Sequence, residues 1–200
     1  MRLQEAKRDF YRQLAKRMGF KSRAAFKLIQ INRKYKVIKP GDVVVDFGCA
    51  PGGWLQVAAE VVGKDGFVLG IDLKKVERIK GNVVTIVADV TDANISKIIL
   101  ERLPRMANVI LSDLAPKVSG IWELDHIKQI DLTRKVVAIL PQILNKGGSA
   151  ILKVFEGEMI NDFIKQVKEI FKEVRIIKPK ASRSGSSEIY LLCINFQGSN

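Results

Sequence analysis

From residue 43 onward, short apolar runs of strand length alternate with longer runs of helical period. VVVDF (43–47), GFVLGID (66–72), VVTIVAD (83–89), ANVILSD (107–113) and GGSAILKVF (147–155) read as strands, with helices over roughly 53–62, 124–144 and 158–171. This alternation requires βαβ crossovers, and hence a mainly parallel sheet with helices on both faces. EVRIIKP (173–179) and SEIYLLCINF (187–196) then follow with no helix between them. The link is too short for a parallel crossover, so the last strand is expected to run antiparallel. The expected fold class is α/β, with a seven-stranded, mostly parallel sheet and an antiparallel last strand.

The segment before this alternation differs in character. Residues 1–19 read as a basic helix ending near Gly19, and Ser22 as the N-cap of a second helix, SRAAFKLIQINRKY. Ala25, Leu28, Ile29 and Asn32 share one face of that helix, which suits docking on the body. Lys39-Pro40-Gly41 is a turn. Residues 1–39 carry 13 Lys+Arg and 2 Asp+Glu, whereas residues 40–200 carry 21 and 19. The reading is therefore a single domain: a nearly neutral body, 40–200, with a basic helical arm, 1–39. Concentrated positive charge favours a polyanion, since each phosphate neutralised releases counterions. The plainer reading, a solvated helix that aids solubility, must accept the self-repulsion of so many like charges.

Four successive strands end on aspartate: Asp46, Asp72, Asp89 and Asp113. Ligands of open α/β sheets bind at that carboxyl edge. The first strand leads into Gly48-Cys49-Ala50-Pro51-Gly52-Gly53-Trp54 and then a helix, a turn in which glycine lets the chain bend sharply beside a ligand. Ala50 stands where a dinucleotide fingerprint requires its second glycine, and Asp46 would repel a pyrophosphate. A cationic cofactor without phosphate, S-adenosylmethionine, suits this edge better than NAD. Gly48, Gly52, Trp54, Asp72, Asp89 and Asp113 are its expected contacts, with Asp72 on the ribose hydroxyls and Asp89 on the adenine amino group. Trp54 could equally be core, and a single Asp could equally be a turn or helix cap.

SRAAFKL, VVVDFGCAPGGW, LSDLAPKVSG, LKVFEGE and SRSGSSEIY, in that order from about residue 22 to 190, resemble the motifs of the FtsJ/RrmJ family of ribose 2′-O-methyltransferases. The resemblance implies a Rossmann-like methyltransferase fold and a Lys-Asp-Lys-Glu active site falling on Lys27, Asp113, Lys153 and Glu188. Each has a local reason as well. Asp113, Lys153 and Glu188 come from three strands that reach one edge, and Lys153 interrupts the apolar run AILKVF, where an unpaired charge is costly. Lys153 is the candidate to orient or deprotonate a 2′-hydroxyl. The resemblance further implies RNA as partner, with a uridine of large-subunit ribosomal RNA, within a ribosomal particle, as the preferred target. Transfer RNA is the alternative substrate, and a noncatalytic RNA-binding module the alternative of another class.

No metal site is expected: His126, the only histidine, reads as a surface residue of a helix, and Cys49 and Cys193 have no ligand spacing. The cysteines suit a reducing compartment, and neither a membrane span nor an apolar leader is evident. The expectation is a soluble, cytoplasmic, monomeric protein.

Overall fold

The computed structural model describes residues 3–183 and 185–198; the side chains before Phe10, Arg8 among them, lie outside the described residues. In chain order the elements are α1 (Leu3–Arg17), α2 (Ala25–Tyr35), β1 (Val43–Phe47), α3 (Gly53–Val62), β2 (Phe67–Asp72), β3 (Val83–Val87), α4 (Ile95–Leu100), β4 (Ala107–Ser112), α5 (Trp122–Ile143), β5 (Leu144–Phe155), α6 (Ile160–Ile170), β6 (Phe171–Ile177) and β7 (Glu188–Phe196). The seven strands form one sheet in the order β3-β2-β1-β4-β5-β7-β6. All pairings among β3, β2, β1, β4 and β5 are parallel, while β7 runs antiparallel to both of its neighbours, β5 and β6.

Period-two alternation divides the sheet's side chains between two cores. Val43, Val45 and Phe47 face α4, α5 and α6, where they meet Ile99, Ile130, Leu140 and Phe163. Val44 faces the other way, into a layer with Leu28 and Ile31 of α2 and Leu55 and Ala58 of α3. Tyr190, Phe47, Phe163 and Phe171 are fully buried, each such side chain contributing about 1.5–3 kcal/mol relative to exposure. α1 lies outside the α2 layer, with Tyr11, Leu14 and Ala15 packing near Phe26 and Ala181.

Several local expectations need correction. α2 begins at Ala25, with Ala24 at its N-cap and no side-chain cap, so Ser22 does not cap it. β3 ends at Val87, and Asp89 belongs to the following turn, where its carboxylate accepts from the Thr91 backbone N–H and hydroxyl, both at 2.8 Å. α4, six residues long, is too short to show a helical period in the sequence. His126 is not on the surface. It is 4% exposed, accepts a hydrogen bond from the Met159 N–H at Nε2, and lies beneath Trp122 in a stack that also includes Phe155. α5 buries Asp125, His126, Gln129, Ile130 and Thr133 along one stripe, so its inward face is more polar than that of an ordinary packed helix.

Candidate active site

Register brings the candidate side chains together. β4 and β5 are last paired at Ser112↔Leu152, so Asp113 and Lys153 are the next residues on adjacent strands. Across the antiparallel β5–β7 ladder, Lys153 stands opposite Tyr190, and Phe155 opposite Glu188. α2 packs over this face and delivers Lys27 from its first turn.

The result is a continuous hydrogen-bonded chain. Lys153 Nζ lies 2.6 Å from the Asp113 carbonyl oxygen and 3.2 Å from Asp113 Oδ1. The Tyr190 hydroxyl donates to Asp113 Oδ1 at 2.8 Å and accepts from Lys27 Nζ at 3.1 Å. Lys27 Nζ is paired with Glu188 Oε1 at 2.5 Å, and the Ser182 hydroxyl donates to the same oxygen at 3.2 Å. Lys27, Asp113, Lys153 and Glu188, the four residues singled out in the sequence, are thus gathered into one cluster. The Lys153 side chain is only 7% exposed, and the acceptors on Asp113 offset the cost of burying it. Tyr190 was not singled out. Its spacing of two from Glu188 puts both on one face of β7, which is the signal that could have found it.

Burial, and then the neighbouring Asp113 and Glu188 charges, push the Tyr190 phenol well above its ordinary value. It is a neutral donor throughout the physiological range. Trp54 supports it from below: the indole is 3% exposed, lies 5.7 Å from the Tyr190 ring between centroids, and donates to the Ala24 carbonyl just before α2.

Beside this cluster, at the carboxyl ends of the parallel strands, lies a cavity of about 680 Å³. Gly48, Asp72, Asp89 and Asp113 line it, together with apolar surface from Ile71, Leu114 and Leu132. Gly48 has φ 75°, and a Cβ there would fall 2.9 Å from the Leu114 nitrogen, so only glycine lets the β1 turn pass this close to the chain leaving β4. Asp72 fixes the same turn by accepting from the Ala50 N–H at 2.9 Å, and the bend after β2 by accepting from the Lys74 N–H at 2.8 Å. Hydrogen bonds from Thr91 hold the Asp89 carboxyl below its ordinary value, so it stays ionised. Gly52 and Trp54 do not line the cavity: Gly52, at φ 113°, caps α3, and Trp54 points into the core. The first turn of α3 is also absent from the lining, so no helix N-terminus faces the ligand as in a phosphate site. Three carboxylates against apolar walls suit a cationic, hydroxyl-bearing nucleoside without phosphate.

Asp46 lies beneath the turn rather than in the cavity. It is fully buried, and neither carboxylate oxygen has a hydrogen-bond partner among the described residues. Desolvation, reinforced by Asp113 and Asp72, raises its carboxyl well above the usual range. Among the described residues no cluster of His, Cys, Asp and Glu could hold a metal, and no helix is long and apolar enough to cross a membrane.

Comparison with known proteins places this arrangement. The FtsJ-like methyltransferase family matches residues 20–196. The ribosomal RNA large subunit methyltransferase E of Methanocaldococcus jannaschii is 46% identical over 97% of this chain and 81% of its own. The protein of the same name from Nitrosopumilus maritimus is 44% identical over 99% of this chain and 100% of its own. A crystal structure from Plasmodium falciparum, described as that of a ribosomal RNA methyltransferase, superposes with a TM-score of 0.80 at 33% identity, covering 90% of this chain and 100% of that one.

Proposed function

The chain belongs to the FtsJ-like methyltransferase family, and on that premise we propose that it transfers a methyl group from S-adenosylmethionine to a ribose 2′-hydroxyl of large-subunit ribosomal RNA, on a uridine. The observation that carries this reading is the junction of two sites at Asp113, which lines the cavity with one side and holds Lys153 with the other. The relatives named for large-subunit ribosomal RNA, which match nearly the whole chain, support that substrate over transfer RNA.

S-adenosylmethionine, when bound, supplies a methyl group already activated by its sulfonium. The chain's part is to bind, orient and manage one proton. Asp72 and Asp89 offer acceptors for ribose hydroxyl and amino groups, and the apolar walls exclude water from a flat base. Lys153 holds the incoming 2′-oxygen, whose proton passes to solvent as the methyl group arrives, and Asp113 fixes Lys153 by accepting from its Nζ at two atoms. Tyr190, Lys27 and Glu188 keep Asp113 from turning away. Positioning of this kind can supply about 7–11 kcal/mol of barrier reduction.

The test is methyl incorporation from labelled S-adenosylmethionine into unmodified ribosomal and transfer RNA, with the 2′-O-methyl sites mapped. The expected outcome is one ribosomal site, with Lys153→Ala lowering kcat by about 10²-fold or more while cofactor affinity holds. Lys153→Arg is expected to be nearly as slow, because the guanidinium is larger and planar and presents its donors in a different geometry. Label in transfer RNA alone would reassign the substrate. Cofactor binding with no transfer to either RNA would leave only an RNA-binding module.

A further inference from the structure

Gln129 is fully buried on α5, and its amide serves the main chain of the two strand ends that carry Asp113 and Lys153. Gln129 Nε2 lies 2.9 Å from the Lys153 carbonyl oxygen and 3.2 Å from the Leu114 carbonyl oxygen. Thr133, one turn further along and also fully buried, places its hydroxyl 3.2 Å from the same Lys153 oxygen and 3.0 Å from the Gln129 carbonyl. Both contacted carbonyls lie beyond Ser112↔Leu152, the last paired rung of β4 and β5. The helix thus provides a tie between the strands at the point where their own ladder has ended.

Packing alone does not explain this side chain. Gln129 Oε1 is buried with no hydrogen-bond partner among the described residues, and a buried orphan acceptor lowers stability. A leucine or methionine would fill the place without that penalty. The Thr133 hydroxyl can turn its one proton from the Gln129 carbonyl to the Lys153 carbonyl, and the Leu114 contact is only part-buried, so water can take over there. Filling the core does not by itself account for a glutamine here.

We propose that Gln129 is a positioning residue. Its amide sets the separation of the β4 and β5 ends, and through it the contacts of Lys153 Nζ with Asp113 at 2.6 and 3.2 Å. The catalytic consequence rests on the reading of Asp113 and Lys153 as the methyl-transfer site; the geometric consequence stands without it. Oriented reaction is sensitive to errors of about an ångström, which can cost roughly a hundredfold in rate.

Gln129→Leu and Gln129→Met test this. Both are expected to melt within about 4 °C of the parent, the shift of roughly one kilocalorie in a domain of this size. Affinity for S-adenosylmethionine and KM for RNA are expected to hold, while the single-turnover methylation rate falls by about tenfold or more. Crystal structures of the variants are expected to show Lys153 Nζ drawn away from Asp113 Oδ1, beyond the present 3.2 Å. An unchanged Lys153–Asp113 contact overturns the proposal, as does a normal rate in a folded variant. So does a fall in melting temperature beyond that range with the rate preserved, which is the mark of a purely structural residue. If the parent protein methylates no RNA, the proposed activity fails, and the crystallographic distance still decides whether Gln129 sets the spacing.

Discussion

The Tyr190 hydroxyl donates to Asp113 Oδ1 at 2.8 Å from a ring that is itself fully buried. Because the phenolic oxygen in turn accepts from Lys27 Nζ, one neutral phenol joins two ion pairs, Lys153–Asp113 and Lys27–Glu188. Each pair has a partly open end, and without the phenol each would be free to rotate toward water. The tyrosine makes them one unit.

Tyr190→Phe keeps the ring against Trp54 and removes only the hydroxyl. A lost hydrogen bond to a charged group is about 1.5–3 kcal/mol, so the methylation rate is expected to fall roughly ten- to a hundredfold with cofactor affinity intact. The phenol stays protonated past its usual value of 10.0, so any alkaline limb of the rate profile below that pH belongs to another group and is expected to stay in place in the variant. A wild-type single-turnover rate in Tyr190→Phe would show that the two ion pairs act independently.

Asp72→Ala addresses the cavity. The carboxylate both lines the space and holds the turn after β1 through Ala50. Affinity for S-adenosylmethionine is expected to weaken by about 1.5–3 kcal/mol on calorimetry. Unaltered affinity would mean that Asp72 serves the turn alone.

Asp46 makes a prediction about pH and stability. Its folded value is raised above the ordinary 3.8, so the folded state holds this proton more tightly than the unfolded chain does. The contribution is fully present below the unfolded value and is lost as pH rises toward and through the folded one. Asp46→Asn does not titrate. Its melting temperature relative to wild type is therefore expected to climb as pH rises above the ordinary 3.8. A constant offset across that rise would show an aspartate that ionises as freely in the fold as outside it.

The basic arm can be tested apart from the chemistry. Arg12, Lys16 and Arg17 are exposed on α1, away from the Tyr11 and Ala15 contacts that dock the helix. Reversing these three charges is expected to weaken RNA binding and to flatten its dependence on salt, with cofactor affinity unmoved. If binding and salt slope both match wild type, the arm is a solvated helix and nothing more.

Much of this arrangement was legible before any coordinates. The alternation of strand and helix, the antiparallel β7, and the cluster of Lys27, Asp113, Lys153 and Glu188 all follow from local pattern and motif. What escaped the sequence did so for physical reasons. Tyr190 sits in a strand of aliphatic residues, where an aromatic reads as an ordinary strand former. His126 and Gln129 are polar residues on the inward stripe of α5, and a periodicity of apolar residues cannot reveal a face whose buried groups are hydrogen-bonding ones. Trp54 follows the glycine turn closely enough to suggest a ligand contact, yet the first turn of α3 rotates it into the core.

The insertion of β7 between β5 and β6 also has a meaning in time. Every residue lining the cavity lies between Phe47 and Leu132, whereas the hydrogen-bonded chain waits for Glu188 and Tyr190. On a translating ribosome, the parts proposed to receive the methyl donor emerge well before the parts proposed to hold the acceptor. A polypeptide cut short ahead of β7 therefore carries every cavity-lining residue and lacks two members of the hydrogen-bonded chain. On the proposed reading, synthesis itself then acts as a check, because the cavity is made well before the strand that completes the hydrogen-bonded chain.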